Sequence, residues 1–310
     1  MFSGEITIKY EDYNFDLTAA TYNFSWFYDG EHLKIIIDFN PTIAIVRKKN
    51  HVSLLIEVFG RNSLSRGQII DLLAYLLGIS EDLGDFYRLW SKDKLLGKSY
   101  GKLCGFRVRA TPLWISLLIG ICQQNASFKQ GWGMLANLFK LFGKRVNLGN
   151  YGYTILPPTP DDIAKLGVYK LKMARVGYRA NIILEIADAF IRGELSNDFN
   201  QVFNVDNLIK LRGIGNYTAR LASVLTYRRY VDPPIDRWMM KIISFVYGVS
   251  EKESEDFWRR KWDRWGGLAS LITTIALDAE VLSKAIRRIE LGYTYPNESI
   301  MSPLTLWKYI

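Results

Sequence analysis

The hydrophobic period of the chain changes once, near residue 63, and that change constrains the fold more than any other feature. Before it, ITIKY (6–10), LTAATYNFSWFY (17–28), LKIIIDF (33–39) and HVSLLIEVFG (51–60) read as strands by alternation or β-rich composition. Asp29-Gly30 gives a hairpin signal between two of these runs. After it, GQIIDLLAYLLGI (67–79) has apolar residues at helical spacing and stops near a glycine, and nearly everything downstream reads helical. LGDFYRLWSKDKLLGKSY (83–100) reads as one helical segment. Thr111-Pro112 opens a run to Gly143 that reads as two helices broken around residues 124–128. YGYTILPPTP (151–160) reads as a loop by its prolines, with Thr159 or Asp161 capping the helix behind it. The expectation is an α+β fold: an antiparallel β-rich N-terminal domain over 1–78, then a two-lobed, mainly α-helical body over 79–310. One lobe takes 113–232 and the other takes 79–112 plus 233–310. No internal repeat and no low-complexity segment interrupts this plan.

Composition removes several classes of function. A 310-residue chain that is 49% hydrophobic can fill two or three packed cores. No stretch approaches eighteen uninterrupted apolar residues and the N-terminus has no apolar h-region, so neither a membrane-spanning nor a secreted protein is expected. Two cysteines without a CxxC spacing, Cys104 and Cys122, cannot hold an iron–sulfur cluster, and with only His32 and His51 they make no zinc site. No metal site and no cofactor is therefore expected, and the cysteines read as reduced in a cytoplasmic protein. The net charge of +9 raises the weight of a polyanionic partner, although an ordinary solvated surface accounts for it equally well.

Two short blocks carry chemistry. LRGIGNYTAR (211–220) sets a Gly-Ile-Gly turn between two apolar helical stretches, a helix-hairpin-helix pattern. Glycine leaves the right-handed region cheaply, and a helix starting at once behind the turn offers unpaired N–H groups and the positive end of its dipole to a phosphate. Gly213, Gly215 and Thr218 are the candidate nucleic-acid contacts here, and the small Ala219 lets the second helix approach closely. In PPIDRWM (233–239), two prolines lead into a helix whose first turn carries Asp236, nineteen residues beyond Tyr217. A helix-capping aspartate is one reading. The other is a catalytic anion, since a carboxylate beside a sugar suits an oxocarbenium-like transition state.

Residues 110–280 resemble the helix-hairpin-helix DNA glycosylase superfamily, with GIGNYTA and PPIDRWM matching its hairpin and its aspartate. GYRANII (177–183) resembles the helix before the hairpin in the 8-oxoguanine glycosylase branch, and ICQQNASF (121–128) resembles the segment that fills the gap left by a flipped base. A β-rich N-terminal region before the helices is similar to the arrangement in 3-methyladenine glycosylase II and in 8-oxoguanine glycosylases. The resemblance implies a base-excision repair enzyme that flips a damaged nucleotide out of double-stranded DNA and breaks its N-glycosidic bond, acting as a monomer at the nucleoid. It implies that Asp236 stabilises the sugar cation and activates water, and that Gln124 and Asn125 fill the vacated stack or contact the orphaned base. For these two, a polar break between helices is the competing reading. A monovalent cation on hairpin carbonyls is a further implication.

Tyr217 departs from the pattern. Members with lyase activity place a lysine there, and a phenol cannot form an imine. A monofunctional enzyme is implied, with Tyr217 lining the base pocket or packing the hairpin; Lys210 and Lys241 read as surface lysines. Trp238, Trp258, Trp262 and Trp265 are candidate faces for an electron-poor alkylated purine, or alternatively core. Ser270 and Thr274 are expected in the pocket, where the 8-oxoguanine branch uses a glutamine and a phenylalanine. The expected activity is excision of alkylated purines. A glycosylase for oxidised or deaminated bases, with or without lyase activity, and a non-catalytic DNA-binding protein remain the alternatives.

Overall fold

A computed structural model describes residues 2–38, 41–60, 64–199 and 204–310. The N-terminal part is a four-stranded antiparallel sheet made of β1 (Phe2–Thr7), β2 (Leu33–Asp38), β3 (Thr42–Asn50) and β4 (Ser53–Phe59), in the order β1-β4-β3-β2. Phe39, the last residue of the LKIIIDF run, lies outside the described residues. Both faces of β3 are covered, which explains its continuous apolar run: Ala44 and Val46 point into the core beneath the sheet, and Ile43 and Ile45 into a smaller one above it.

One expected strand is absent. Residues 15–20 form a helix, α1 (Phe15–Ala20), because the Asn14 side chain caps it by accepting the Leu17 N–H at 3.1 Å. The chain then turns through Tyr22, whose φ is +51°. Local capping wins over the alternation of LTAATYNFSWFY, of which only Tyr28 pairs as a strand would, in a single antiparallel bridge to Leu33. Helix α2 (Arg66–Leu77) opens on a Ser65–Gln68 capping box, ends at Gly78 with φ +67°, and packs Ile69, Leu73 and Leu77 against the sheet with α1.

The body begins with α3 (Gly84–Trp90) and the single turn α4 (Tyr100–Leu103). The continuous helix expected over 83–100 is broken because the Asp93 carboxylate takes the amides of Leu95 and Leu96 at 2.9 and 2.8 Å. Next come α5 (Leu113–Gln123) and α6 (Phe128–Phe142), divided by Asn125 at φ +47° and restarted by a Ser127–Gln130 capping box. The stretch expected as a loop contains a strand: β6 (Tyr153–Leu156) pairs with β5 (Lys144–Asn147), and Leu148 and Leu156 cover the upper face of β3. Thr159, rather than Asp161, caps α7 (Pro160–Ala164). There follow α8 (Gly167–Leu171), α9 (Arg179–Ile191), α10 (Val205–Ile209), α11 (Asn216–Tyr227), α12 (Arg237–Tyr247), α13 (Ser254–Trp262), α14 (Gly266–Ala276) and α15 (Leu282–Leu291).

These helices pack into two cores. One is built on α5, α6 and α9, the other on α3, α12, α13 and α14. Helix α11 belongs to both, giving Ala219 and Ala222 to the first and Leu221 and Val224 to the second. The last residues return to the N-terminal part, where the Tyr22 N–H donates to the Pro303 carbonyl at 2.7 Å and Trp307 stands edge-on to Tyr28. Among the described residues no helix is long and apolar enough to cross a membrane.

Candidate functional site

Where α11, α12 and α14 meet the turn after α1, a cavity of about 260 Å³ opens. Asp236, Tyr217, Trp238, Ser270 and Thr274 all line it. Asp236 is the N-cap of α12 and accepts the Met239 N–H at 2.8 Å, and a capping residue can thus also line the cavity. Its side chain is open to the cavity. Protein crowds it elsewhere, and this burial raises its pKa above the usual 3.8, while the amides of Met239 and Trp238 pull the other way. Tyr217 is pushed well above its usual range, first by burial and then by the charge of Asp236, so it stays a neutral phenol beside that carboxylate.

Trp238 is fixed by donating its indole N–H to the Glu280 carbonyl at 2.9 Å. The hydroxyls of Ser270 and Thr274 donate backwards along α14, to the carbonyls of Gly266 and Ser270 at 2.9 and 3.1 Å, and so offer a ligand only lone pairs. The other three candidate tryptophans do not line the cavity. Trp258, Trp262 and Trp265 are buried in the second core, where Trp258 also donates to the Gly266 carbonyl at 3.0 Å. Spacing in sequence could not separate core rings from cavity rings, because the buried side of α13, which carries Trp258 and Trp262, packs into the second core and not onto the cavity.

The structure adds residues that the sequence did not single out. Tyr22, Phe128 and Trp132 form an aromatic wall, with Tyr22 stacked on Trp132 at a centroid distance of 5.6 Å. Arg109 also lines the cavity. Its guanidinium donates to the carbonyls of Thr18, Ala19, Thr21 and Tyr22 at 2.6–3.3 Å, closing the C-terminal end of α1, and burial brings its pKa down to about 10. Gln123 lines the cavity with its amide nitrogen buried and without a partner. Phe128 and Trp132, four residues apart behind a Ser–Gln capping box, carried a readable signal of a shared helix face; Tyr22 and Arg109 carried none.

Behind the cavity, α10 and α11 form the hairpin. Gly213 has φ +84°, and a Cβ there would lie 2.6 Å from Ile182 Cγ1. Gly215 differs: its φ of −94° suits any residue, and a Cβ would meet nothing within 4 Å. Its value is open space over the first turn of α11, which has no side-chain cap. The Thr218 side chain is buried against Gly120 and its hydroxyl accepts from Gln124, so what Thr218 offers a ligand is its backbone N–H. The Gln124 amide nitrogen donates to the Gly213 carbonyl at 2.9 Å and to Thr218 Oγ1 at 3.1 Å, so it clasps the hairpin. Asn125 is exposed, with its amide nitrogen donating to the Tyr178 hydroxyl at 3.4 Å. Arg179 of α9 supports this segment from beneath, donating to the Ile121 carbonyl at 3.1 Å and to that of Gln124. Gln124→Ala is expected to cost about 1 kcal/mol of stability, read by chemical denaturation, because it takes the donor from the buried Thr218 hydroxyl while water can replace it at the exposed Gly213 carbonyl.

Lys210 and Lys241 are exposed and do not line the cavity. Cys104 and Cys122 are unbridged, and burial pushes the Cys122 thiol up to about 12. Among the described residues no three His, Cys, Asp or Glu side chains gather as metal ligands.

No protein-family model matches the chain. A DNA-3-methyladenine glycosylase of Bacillus subtilis (strain 168) is 26% identical to it over 204 residues, which is 62% of this chain and 65% of that protein, just under two thirds of the relative's length. The 3-methyladenine DNA-glycosylase of Archaeoglobus fulgidus superposes with a TM-score of 0.71 at 18% identity, over 94% of this chain and 99% of that one. The 8-oxoguanine glycosylase/lyase of Clostridium acetobutylicum, in complex with double-stranded DNA containing cytosine opposite 8-oxoG, gives 0.63 at 20% identity, over 84% and 86%. The chain has the α+β fold of these glycosylases, and the resemblance carried by its hairpin and aspartate blocks is to proteins of that fold.

Proposed function

We propose that the chain is a monofunctional DNA glycosylase that removes alkylated purines from double-stranded DNA. The observation that carries this reading is Asp236: a carboxylate open to a ring-walled cavity, next to the helix whose uncapped first turn can hold a phosphate. The amides of α11 grip the backbone, the lesion nucleotide turns out into the cavity, and the carboxylate stabilises positive charge as it develops on the deoxyribose. Water then adds to the sugar. An N3- or N7-alkylated purine carries positive charge, which favours the electron-rich faces of Tyr22, Tyr217 and Trp238, and it is already a good leaving group.

A panel of duplexes with single defined lesions tests the reading by release of free base. The expected products are methylated purine and an intact abasic site. Borohydride should trap no covalent adduct, because the cavity holds a neutral phenol where an imine-forming amine would have to stand. No release from any lesion would end the proposal. A pH series supplies an independent check. Asp236 must be ionised and burial raises its pKa, so the single-turnover rate should climb as pH rises through a midpoint above 3.8. A rate that falls over that limb would show that the carboxyl acts as an acid.

A further inference from the structure

The base cavity is not the one apolar recess among the described residues. Behind it, a second cavity of about 160 Å³ lies between the edge strand β2 and helices α5 and α6. Tyr22, Arg109, Thr111, Ile119 and Trp132 line both, so the two are parted by a shared wall of side chains. Ile119 is the telling member. From Leu113 to Cys122 every residue of α5 is buried except Ile119, in the middle of the run. A side chain at the centre of a packed helix stays accessible only where its surroundings are empty. Interiors of this kind leave few voids larger than a water molecule.

The rear cavity is chiefly apolar, walled by Phe24, Phe27, Leu33, Ile115, Leu135 and Phe139. The cations at its border are already engaged: Lys34 donates to the Tyr153 carbonyl at 3.1 Å, and Arg109 donates to the carbonyls around α1. A recess of this size lined mainly by apolar side chains favours an apolar occupant.

We propose that the two cavities together form one elongated substrate pocket, in which the rear part receives the substituent of a purine alkylated with a chain longer than methyl. This rests on the glycosylase reading and names its lesion subclass. The purine ring lies between Tyr217, Trp238 and the Tyr22–Trp132 stack. The chain passes Ile119, an aliphatic side chain with space on both sides. Each methylene moved from water into the rear part adds about fourfold to binding. A methyl group leaves the rear part empty. The β-rich domain, which supplies Phe24, Phe27 and Leu33, thereby acquires a part in substrate selection.

The test compares single-turnover release of 7-methylguanine and 7-butylguanine from otherwise identical duplexes. The wild type should release the butyl base at least as fast as the methyl base. Ile115→Phe fills only the rear cavity, and should lower the butyl-to-methyl ratio about tenfold or more with methyl release within about threefold. Ile119→Ala thins the partition and should raise that ratio; it carries the test by itself if thermal melting shows Ile115→Phe to be misfolded. Butyl release about 100-fold slower than methyl release in the wild type, unrelieved by Ile119→Ala, would overturn the proposal. So would a butyl-to-methyl ratio that neither substitution moves. Release of neither base is a different result, which removes the glycosylase reading itself.

Discussion

Asp236→Asn should cut single-turnover base release by about 10³-fold or more and leave duplex affinity within about twofold. The substitution is nearly isosteric, and asparagine caps a helix as well as aspartate does, so the bond from the Met239 amide survives. Only the anion is lost. The same change should not lower the melting temperature at neutral pH. Burial raises the pKa of Asp236 in the folded state, so the folded protein holds that proton to higher pH than the unfolded chain does. The group's contribution to stability is fully present below the unfolded value and is lost as pH rises through the folded one. At pH 7 the ionised carboxylate therefore costs stability, which a neutral amide relieves. A variant that melts lower while retaining activity would show that Asp236 serves as a cap and nothing more.

The hairpin glycines should separate in a second experiment. Gly213→Val is expected to cost about 2–4 kcal/mol, because it forces a β-branched residue to positive φ and drives it into Ile182. It should weaken DNA binding as well, since the displaced turn no longer aims its amides. Gly215→Leu should lower the melting temperature by only a few degrees, the cost of a poorer N-cap, its backbone being unstrained and its surroundings empty. It should still raise the dissociation constant for a duplex about tenfold or more, by standing where a phosphate would approach. Equal affinity for Gly215→Leu and wild type would mean that the first turn of α11 does not face the nucleic acid.

The contrast between these glycines shows what could be read in advance. A turn between helices and a cap at a helix start are short-range features, determined by a few adjacent residues, and both blocks stand where that chemistry placed them. Tyr217 and Trp238 follow from those two blocks, being carried on the first turns of the same helices. Tyr22 is the opposite case. Its position depends on a carbonyl from Pro303 and a guanidinium from Arg109, both far away in the chain, and nothing in LTAATYNFSWFY announces either. The clasp formed by Gln124 and the enclosure of Trp258 and Trp262 are likewise products of packing. A composition rich in rings supplied candidates for a cavity wall without telling a wall from a core.

Helix α11 is rooted in both cores of the body, with alanines set into one and leucine and valine into the other. It is a shaft clamped in two bearings. Tilting it would tear at least one of them, and close-packed interiors resist that. Under the proposed activity, a phosphate caught at its exposed tip therefore meets a stiff post, and the bending falls on the softer partner, the duplex. Recognition of a lesion would then be weighed by how readily the DNA deforms around that post rather than by how far the protein yields.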